Sequence, residues 1–148
     1  MLTYSIKEFN QLSLKQLYDV LQLRSEVFVV EQNCVYQDLD GKDSKALHVF
    51  GYDEDELVAY TRLFKPGHYF TEASIGRVVV KANYRKFGYG YDVMNTSIDA
   101  VKHYYKTNDI RISAQCYLKQ FYSNLNFKIE GEEYLEDGIP HVNMLYRG

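Results

Sequence analysis

Arg85, Gly88 and Gly90, in the string Arg85-Lys86-Phe87-Gly88-Tyr89-Gly90, follow directly on the apolar run Ile75-Gly76-Arg77-Val78-Val79-Val80. A strand-like run, then glycines, then an apolar-periodic stretch to about Tyr105 places the unpaired N–H groups of a helix start just past a strand's carboxyl end. Glycines let a ligand approach the backbone, the helix start carries partial positive charge, and arginine adds a planar fork. The chemistry this suits is the binding of a phosphate or pyrophosphate. Neither G-x-G-x-x-G nor G-K followed by Ser or Thr occurs, which excludes the usual dinucleotide and nucleoside-triphosphate strings. Other reactive side chains say less. Cys34 and Cys116 have no Cys-x-x-Cys partner, against a zinc site, redox pair or disulfide framework, and Cys116 reads as a small buried apolar residue at a strand end. The histidines are scattered and Asp38, Asp40 and Asp43 lack the full calcium-loop pattern, so no metal is expected.

These groups need elements to hold them. Leu2, Tyr4 and Ile6 alternate with polar residues as in a half-buried strand. Ser13 with Gln16 forms a capping-box pattern that starts a helix, with Leu14, Leu17, Leu21 and Phe28 on one stripe. The β-branched cluster Val27, Val29 and Val30 weakens that helix before Glu31. Residues 34–45 read as a polar loop with room for one helical turn. Two strands over 46–52 and 57–65 form an antiparallel hairpin about the acidic segment Asp53-Glu54-Asp55-Glu56. After Gly90, Met94, Ile98, Val101 and Tyr105 recur at helical spacing and should cover the sheet. A strand over 110–116, a short helix over 118–125, and strands over 127–135 and 140–146 joined at Asp137-Gly138 complete the chain. One mixed sheet flanked by helices accounts for all of it, as a single domain over 1–148.

The length of 148 residues suits one domain with a sizeable core, and an apolar fraction of 46% with 25% charged residues is ordinary for a globular protein. The formal charge is −3, and no basic stripe interleaves with the aromatics, which argues against a nucleic-acid partner. No apolar run is long enough for a bilayer and no secretory signal opens the chain, so a cytoplasmic protein without a membrane partner is expected.

The string R-x-x-G-x-G after an Ile/Val-rich strand resembles the coenzyme A pyrophosphate loop of the GCN5-related N-acetyltransferase (GNAT) superfamily. The later superfamily signature also has a counterpart: Ser113-Ala114-Gln115-Cys116, then Phe121-Tyr122-Ser123-Asn124-Leu125-Asn126-Phe127. Asn126 replaces a usual glycine, a mild change because Asn tolerates a left-handed helix end. Within the superfamily the chain looks like the ElaA-like branch. Arg24 to Gln32, Asp38, Asp40-Gly41, His48, Ile75 to Val80 and Leu135 to His141 carry that likeness.

The resemblance implies an acyl-CoA N-acyltransferase fold, acetyl-CoA as cosubstrate, and direct acetyl transfer to a primary amine of a small molecule or exposed peptide. Backbone groups of Val78, Val79 and Val80 would meet the pantetheine amides, with the oxyanion near the Val79 N–H. The N–H groups of Phe87, Gly88, Tyr89 and Gly90 would take the pyrophosphate with Arg85. Lys86 is counted with them because a nucleotide phosphate could lie nearby, although it reads first as an ordinary solvated charge. Tyr122 matches the tyrosine that often donates a proton to the departing sulfur, against the rival reading of a Phe-Tyr pair packed under the coenzyme. Glu31, beyond the first helix in the region that usually forms the acceptor cleft, is the first candidate for general base, ahead of Asp38, Asp40, His48 and His141. Cys116 lacks a visible base, and direct transfer needs no covalent nucleophile. Arg77 could cross the sheet to pair with an acid. The alternative function is a noncatalytic acyl-CoA sensor or protein-binding module. Monomer and homodimer both remain open.

Overall fold

The computed structural model describes Met1–Gly148. Its frame is one eight-stranded sheet. Strands β1 (Thr3–Glu8), β2 (Leu47–Asp53), β3 (Glu56–Phe64) and β4 (Ala73–Val80) pair antiparallel in sequence order. β5 (Ile110–Gln115) lies parallel to β4, and β8 (Ile139–Tyr146) runs antiparallel to β5. Two short pieces, β6 (Lys128–Ile129) and β7 (Tyr134–Glu136), pair with β8 on its far side. The expected mixed sheet flanked by helices is thus the observed one.

Helix α1 (Leu14–Arg24) begins where the capping box predicts: Gln16 N–H donates to Ser13 Oγ at 3.1 Å and Ser13 N–H to Gln16 Oε1 at 3.1 Å. It packs Val20 and Leu23, with Val27 of the turn that follows, onto Phe50, Tyr60 and Val79. Leu14, expected on the core stripe, is 87% exposed, because the buried stripe runs through Val20, Leu23, Arg24 and Val27 and the first turn overhangs the sheet. The β-branched cluster does not end the helix but widens it. Residues Ser25–Glu31 form a π-helical turn in which Gln32 N–H donates to Val27 C=O and Cys34 N–H to Val29 C=O, each five residues back.

Helix α2 (Tyr89–Tyr105) covers the other face, burying Val93, Met94, Ile98 and Val101 against Leu47, Val49, Leu63, Ile112 and Met144. The acidic segment after β2 is a tight turn with Glu54 at φ 55°. Asp137 (φ 51°) and Gly138 (φ 77°) make the β7–β8 turn left-handed at both centres, as a two-residue hairpin requires. The expected single strand over 127–135 is interrupted. Ile129 faces Met144 while Tyr134 faces His141, so five steps along one strand match three on the other, and the surplus bulges at Gly131 (φ 89°). Cys116 sits in a 3₁₀ turn beyond the strand end and is half-buried rather than buried.

Loop 36–43 is clamped to this frame by charge. Arg24 donates from Nε to Asp38 Oδ2 and from Nη1 to Asp43 Oδ1, both at 2.9 Å, and Arg62 holds Asp40 at 2.5 Å and Asp43 at 2.9 Å. Arg77 Nε lies 2.8 Å from Asp38 Oδ1, so it pairs with an acid as expected, though one on this loop and not across the sheet. Both Arg24 and Arg62 are 1% exposed. Burial pushes the Asp40 and Asp43 carboxyls up, but bonds from Arg62 to Asp40, and from Arg24 and Arg62 to Asp43, outweigh it and hold both below the ordinary carboxylate range.

His48 is a core histidine. Its Nε2 donates to the Asp43 carbonyl at 2.9 Å, so Nδ1 accepts from the Tyr60 hydroxyl at 2.5 Å, and burial depresses its pKa. These shifts share a sign: the unfolded chain takes up protons that the folded one refuses. Stability is therefore expected to begin falling as pH drops through about 6.5, where an unfolded histidine charges, and to fall further below about 4, where unfolded carboxylates protonate. Thermal unfolding midpoints from pH 8 to pH 3 check this; a flat profile between pH 7 and 5 would remove His48 from the account.

Candidate active site

The strand before the glycines carries a defect. Between Tyr60 and Arg62 the β3–β4 register shifts, and Arg77 adopts φ 48°, unusual for a non-glycine residue. The shift resets alternation, so Val79 joins the α1-side core while Val78 and Val80 face the α2 side. β4 also parts from β5 early. Their only paired residues are Ala73 with Ile110 and Ser74 with Arg111, so beyond Ser74 the facing edges diverge into a V. The β4 edge from Gly76 to Val80 is left without a strand partner on that side, where an extended amide-bearing chain can add to it.

The V opens into a cleft of about 430 Å³ lined by Val78, Val79 and Val80, by Arg85, Gly88 and Gly90, by Tyr122, and by Glu31. Residues far apart in sequence therefore meet in one cavity. The chain between β4 and α2 is a 3₁₀ helix over Ala82–Phe87 closed by Gly88 at φ 76°, the left-handed value that turns the backbone into α2. Asp92 N–H returns to the Gly88 carbonyl, leaving the N–H groups of Tyr89, Gly90 and Tyr91 at the helix start. A β-carbon on Gly90 would lie 3.2 Å from Phe121 Cε1, so α3 (Lys119–Ser123) rests against the bare backbone there.

Three expected residues do not line the cleft with their side chains. Lys86 lies over the ring of Phe87, Phe87 is 54% exposed, and Tyr89 packs between Tyr84 and Phe87. Only their backbone belongs to the turn. Arg85 lines the cleft but is fully engaged: Nε donates to the Val80 carbonyl at 2.9 Å, and Nη1 and Nη2 donate to the two Glu31 carboxylate oxygens at 2.5 and 2.9 Å. Glu31, the first candidate for general base, is brought to the cleft by the π-helical turn, and here both its oxygens face the Arg85 guanidinium beside the helix start, an arrangement that suits a counter-charge. Asp38, Asp40 and His48 are withdrawn into the arginine network and the core.

Tyr122 is 6% exposed and stacks edge-on with Phe121 and Phe127. Burial, and secondarily Tyr117, raises its phenol pKa, so the hydroxyl stays protonated and available as a donor.

Several lining residues lie outside the set expected from sequence. Gln32 and Gln115 exchange amide hydrogen bonds across the cleft at 3.3 and 3.4 Å, and Cys34 Sγ donates to the Asp137 carbonyl at 3.3 Å. Ser113, Gln115, Glu136 and Asp137 also line it. A signal is present in β5: Arg111, Ser113 and Gln115 form a polar face on an interior strand, where helices on both sides of a sheet call for apolar residues.

A family model described as an acetyltransferase (GNAT) domain matches residues 8–147. Protein ElaA of Escherichia coli (strain K12) is 42% identical over 137 residues, covering 91% of this chain and 90% of that protein. The crystal structure of an acyl-CoA N-acyltransferase from Pseudomonas aeruginosa is similar over 100% of both chains, with TM-score 0.92 and 38% identity. An aminoglycoside 6'-N-acetyltransferase complexed with coenzyme A shares the fold at TM-score 0.71 and 18% identity, over 95% of each chain.

Proposed function

We propose, on the premise that this chain belongs to the GNAT acetyltransferase family as an ElaA-like acyltransferase, that it moves an acetyl group from acetyl-CoA directly to a primary amine of a small molecule or exposed peptide. The observation that carries this reading is a single cleft in which an unpaired strand edge, a glycine-opened helix start and a buried phenol follow one another. In this reading residues 1–148 act as one catalytic domain. Pantetheine amides add to β4 along Val78 to Val80, and the pyrophosphate takes the N–H groups at the start of α2. Arg85 exchanges Glu31 for phosphate. The two unpaired thiols suit a reducing compartment, the cytoplasm.

Transfer has three demands. The amine must be neutral when it attacks, the oxyanion must find a donor, and the sulfur must leave with a proton. A β4 backbone N–H near Val79 serves the second and Tyr122 the third. Replacing Tyr122 by phenylalanine keeps the ring packing and removes only the donor. The expected result is a fall in kcat of about 10²-fold with the KM for acetyl-CoA within about twofold, read from steady-state thiol release. An unchanged kcat would return Tyr122 to a packing role. The function itself is tested by thiol release from acetyl-CoA against amino sugars, polyamines, amino acids and short peptides, with coenzyme binding measured in the same samples. Saturable release with one class supports transfer; binding without release from any acceptor supports a sensor.

A further inference from the structure

On the α1 side of the V, beyond the coenzyme-facing residues, one polar cluster takes no part in the roles above. Ser113 on β5, Tyr134 and Glu136 on β7, and His141 on β8 converge there, and Ser113, Glu136 and His141 line the cleft. His141 Nδ1 lies 2.7 Å from the Ile139 carbonyl, which can only accept, so Nδ1 carries the hydrogen and the neutral ring's lone pair is on Nε2. That Nε2 lies 3.5 Å from Glu136 Oε2. Ser113 Oγ donates to Glu136 Oε1 at 3.2 Å and shares a short hydrogen bond with Tyr134, whose ring stacks on His141. Two acceptors, a ring nitrogen and a carboxylate, therefore face one point with no proton between them.

The surrounding charge has one sign. Arg77 lines this end but is held by Asp38 and Asp40, and Arg85 is held by Glu31. Neither Glu136 nor Asp137 is paired with a lysine or arginine. Tyr134 stacks on His141 and Glu136 lies beside it, while Asp137, Arg77, Tyr36 and Cys34 line the same cleft.

We propose that Ser113, Glu136 and His141 form the acceptor site, that it receives an alkylammonium group, and that His141 Nε2 takes the proton that makes this group a nucleophile. The inference rests on the reading of the chain as an amine acyltransferase. An ammonium seated between the two acceptors donates one N–H to Glu136 and one to Nε2. After the proton moves to Nε2, the nitrogen lone pair attacks the thioester carbonyl and the imidazolium is stabilised by Glu136. The C–S bond then breaks with its electron pair going to sulfur. Tyr122 protonates the sulfur and regains a proton from the acylated nitrogen. One proton remains on His141 and leaves to solvent, which balances alkylammonium plus thioester against amide, thiol and one proton.

The test compares wild type, His141→Gln and Glu136→Gln in thiol release from acetyl-CoA with putrescine, glucosamine and a lysine-containing tetrapeptide between pH 6.5 and 10. In His141→Gln the loss in kcat/KM is expected at about 10²–10³-fold near neutrality. It should shrink toward none as pH approaches the amine's own pKa, because solution then supplies the neutral amine. Glu136→Gln is expected to raise the acceptor KM about tenfold, the scale of one charged hydrogen bond, with coenzyme A affinity unchanged. It remains informative if the histidine variant does not fold. A loss in His141→Gln that is the same at every pH, or no loss in either variant, overturns the proposal. A wild type that binds coenzyme A but releases no thiol with any amine overturns the acyl-transfer reading itself, and this inference with it.

Discussion

Replacing Arg24 by alanine is expected to destabilise the protein by about 3–5 kcal/mol, the usual consequence of removing one partner from a buried ion pair. Asp38, whose side chain is 4% exposed, would lose its Nε bond, and Asp43 would lose one of its two guanidinium partners. The whole stability of a domain is about 5–15 kcal/mol, so this is a large share of it. At this size it corresponds to a fall of about 6–20 °C in the unfolding midpoint. The loop from Tyr36 to Asp43 should loosen with it, since Arg24 is its anchor to α1. Differential scanning calorimetry of the variant checks the figure. A combined replacement by apolar residues at positions 24, 38 and 43 should recover part of the loss, because the penalty lies in the orphaned charge more than in the missing attraction. A midpoint within about 2 °C of wild type for Arg24→Ala, well short of the shift a lost buried pair brings, would show that water reaches the aspartates freely, and the clamp would lose its role.

Replacing Gly90 by valine is the second large effect, and it falls on coenzyme affinity. The added β-carbon would meet Phe121 at 3.2 and 3.3 Å, and the two further methyl groups add bulk at the same contact. Phe121 must move, carrying the Tyr122 turn with it, and the side chain shields the N–H groups at the helix start. Losing two charge-assisted hydrogen bonds to a pyrophosphate, at about 1.5–3 kcal/mol each, corresponds to at least about 10²-fold in the coenzyme A dissociation constant. Isothermal titration of coenzyme A measures it. Gly88→Ala is the contrast: no atom lies within 4 Å of the point where its β-carbon would stand, so its cost is that of the φ 76° conformation alone, about 1 kcal/mol. Wild-type affinity in Gly90→Val would place the phosphates elsewhere.

The helix starts and turns are legible in the sequence because each depends on local chemistry. Ser13 and Gln16 satisfy one another's backbone, and Asp137-Gly138 needs only two left-handed residues. The run from Val78 to Gly90 is legible for the same reason, as strand, glycine and helix follow without interruption. What escapes depends on contacts between distant segments. Glu31 and Arg85 are 54 residues apart, and nothing in either neighbourhood announces that they neutralise each other. The parting of β4 from β5 comes beside a register shift opposite Arg77, a residue whose φ of 48° its own type does not suggest. The polar face of β5 is visible in sequence, but the partners that give it a role are not. Its meaning appears only when Glu136 and His141 arrive on the same side from β7 and β8.

The short seam between β4 and β5 also makes the sheet a mechanical lever. Two plates, β1 to β4 and β5 to β8, are joined by strand pairing only at Ala73 and Ser74, while α2 packs across both. Arg111 fastens the seam from β5 by holding Glu72 at 2.9 and 3.1 Å, just ahead of the first β4 residue. About six further residues separate this rivet from the mouth at Val80, a lever arm of about 20 Å at strand rise, so a rotation of about 3° at the seam moves the mouth by about 1 Å. The width of the jaw is thus set at its root by this seam, with the Gln32–Gln115 pair as a tie across its interior.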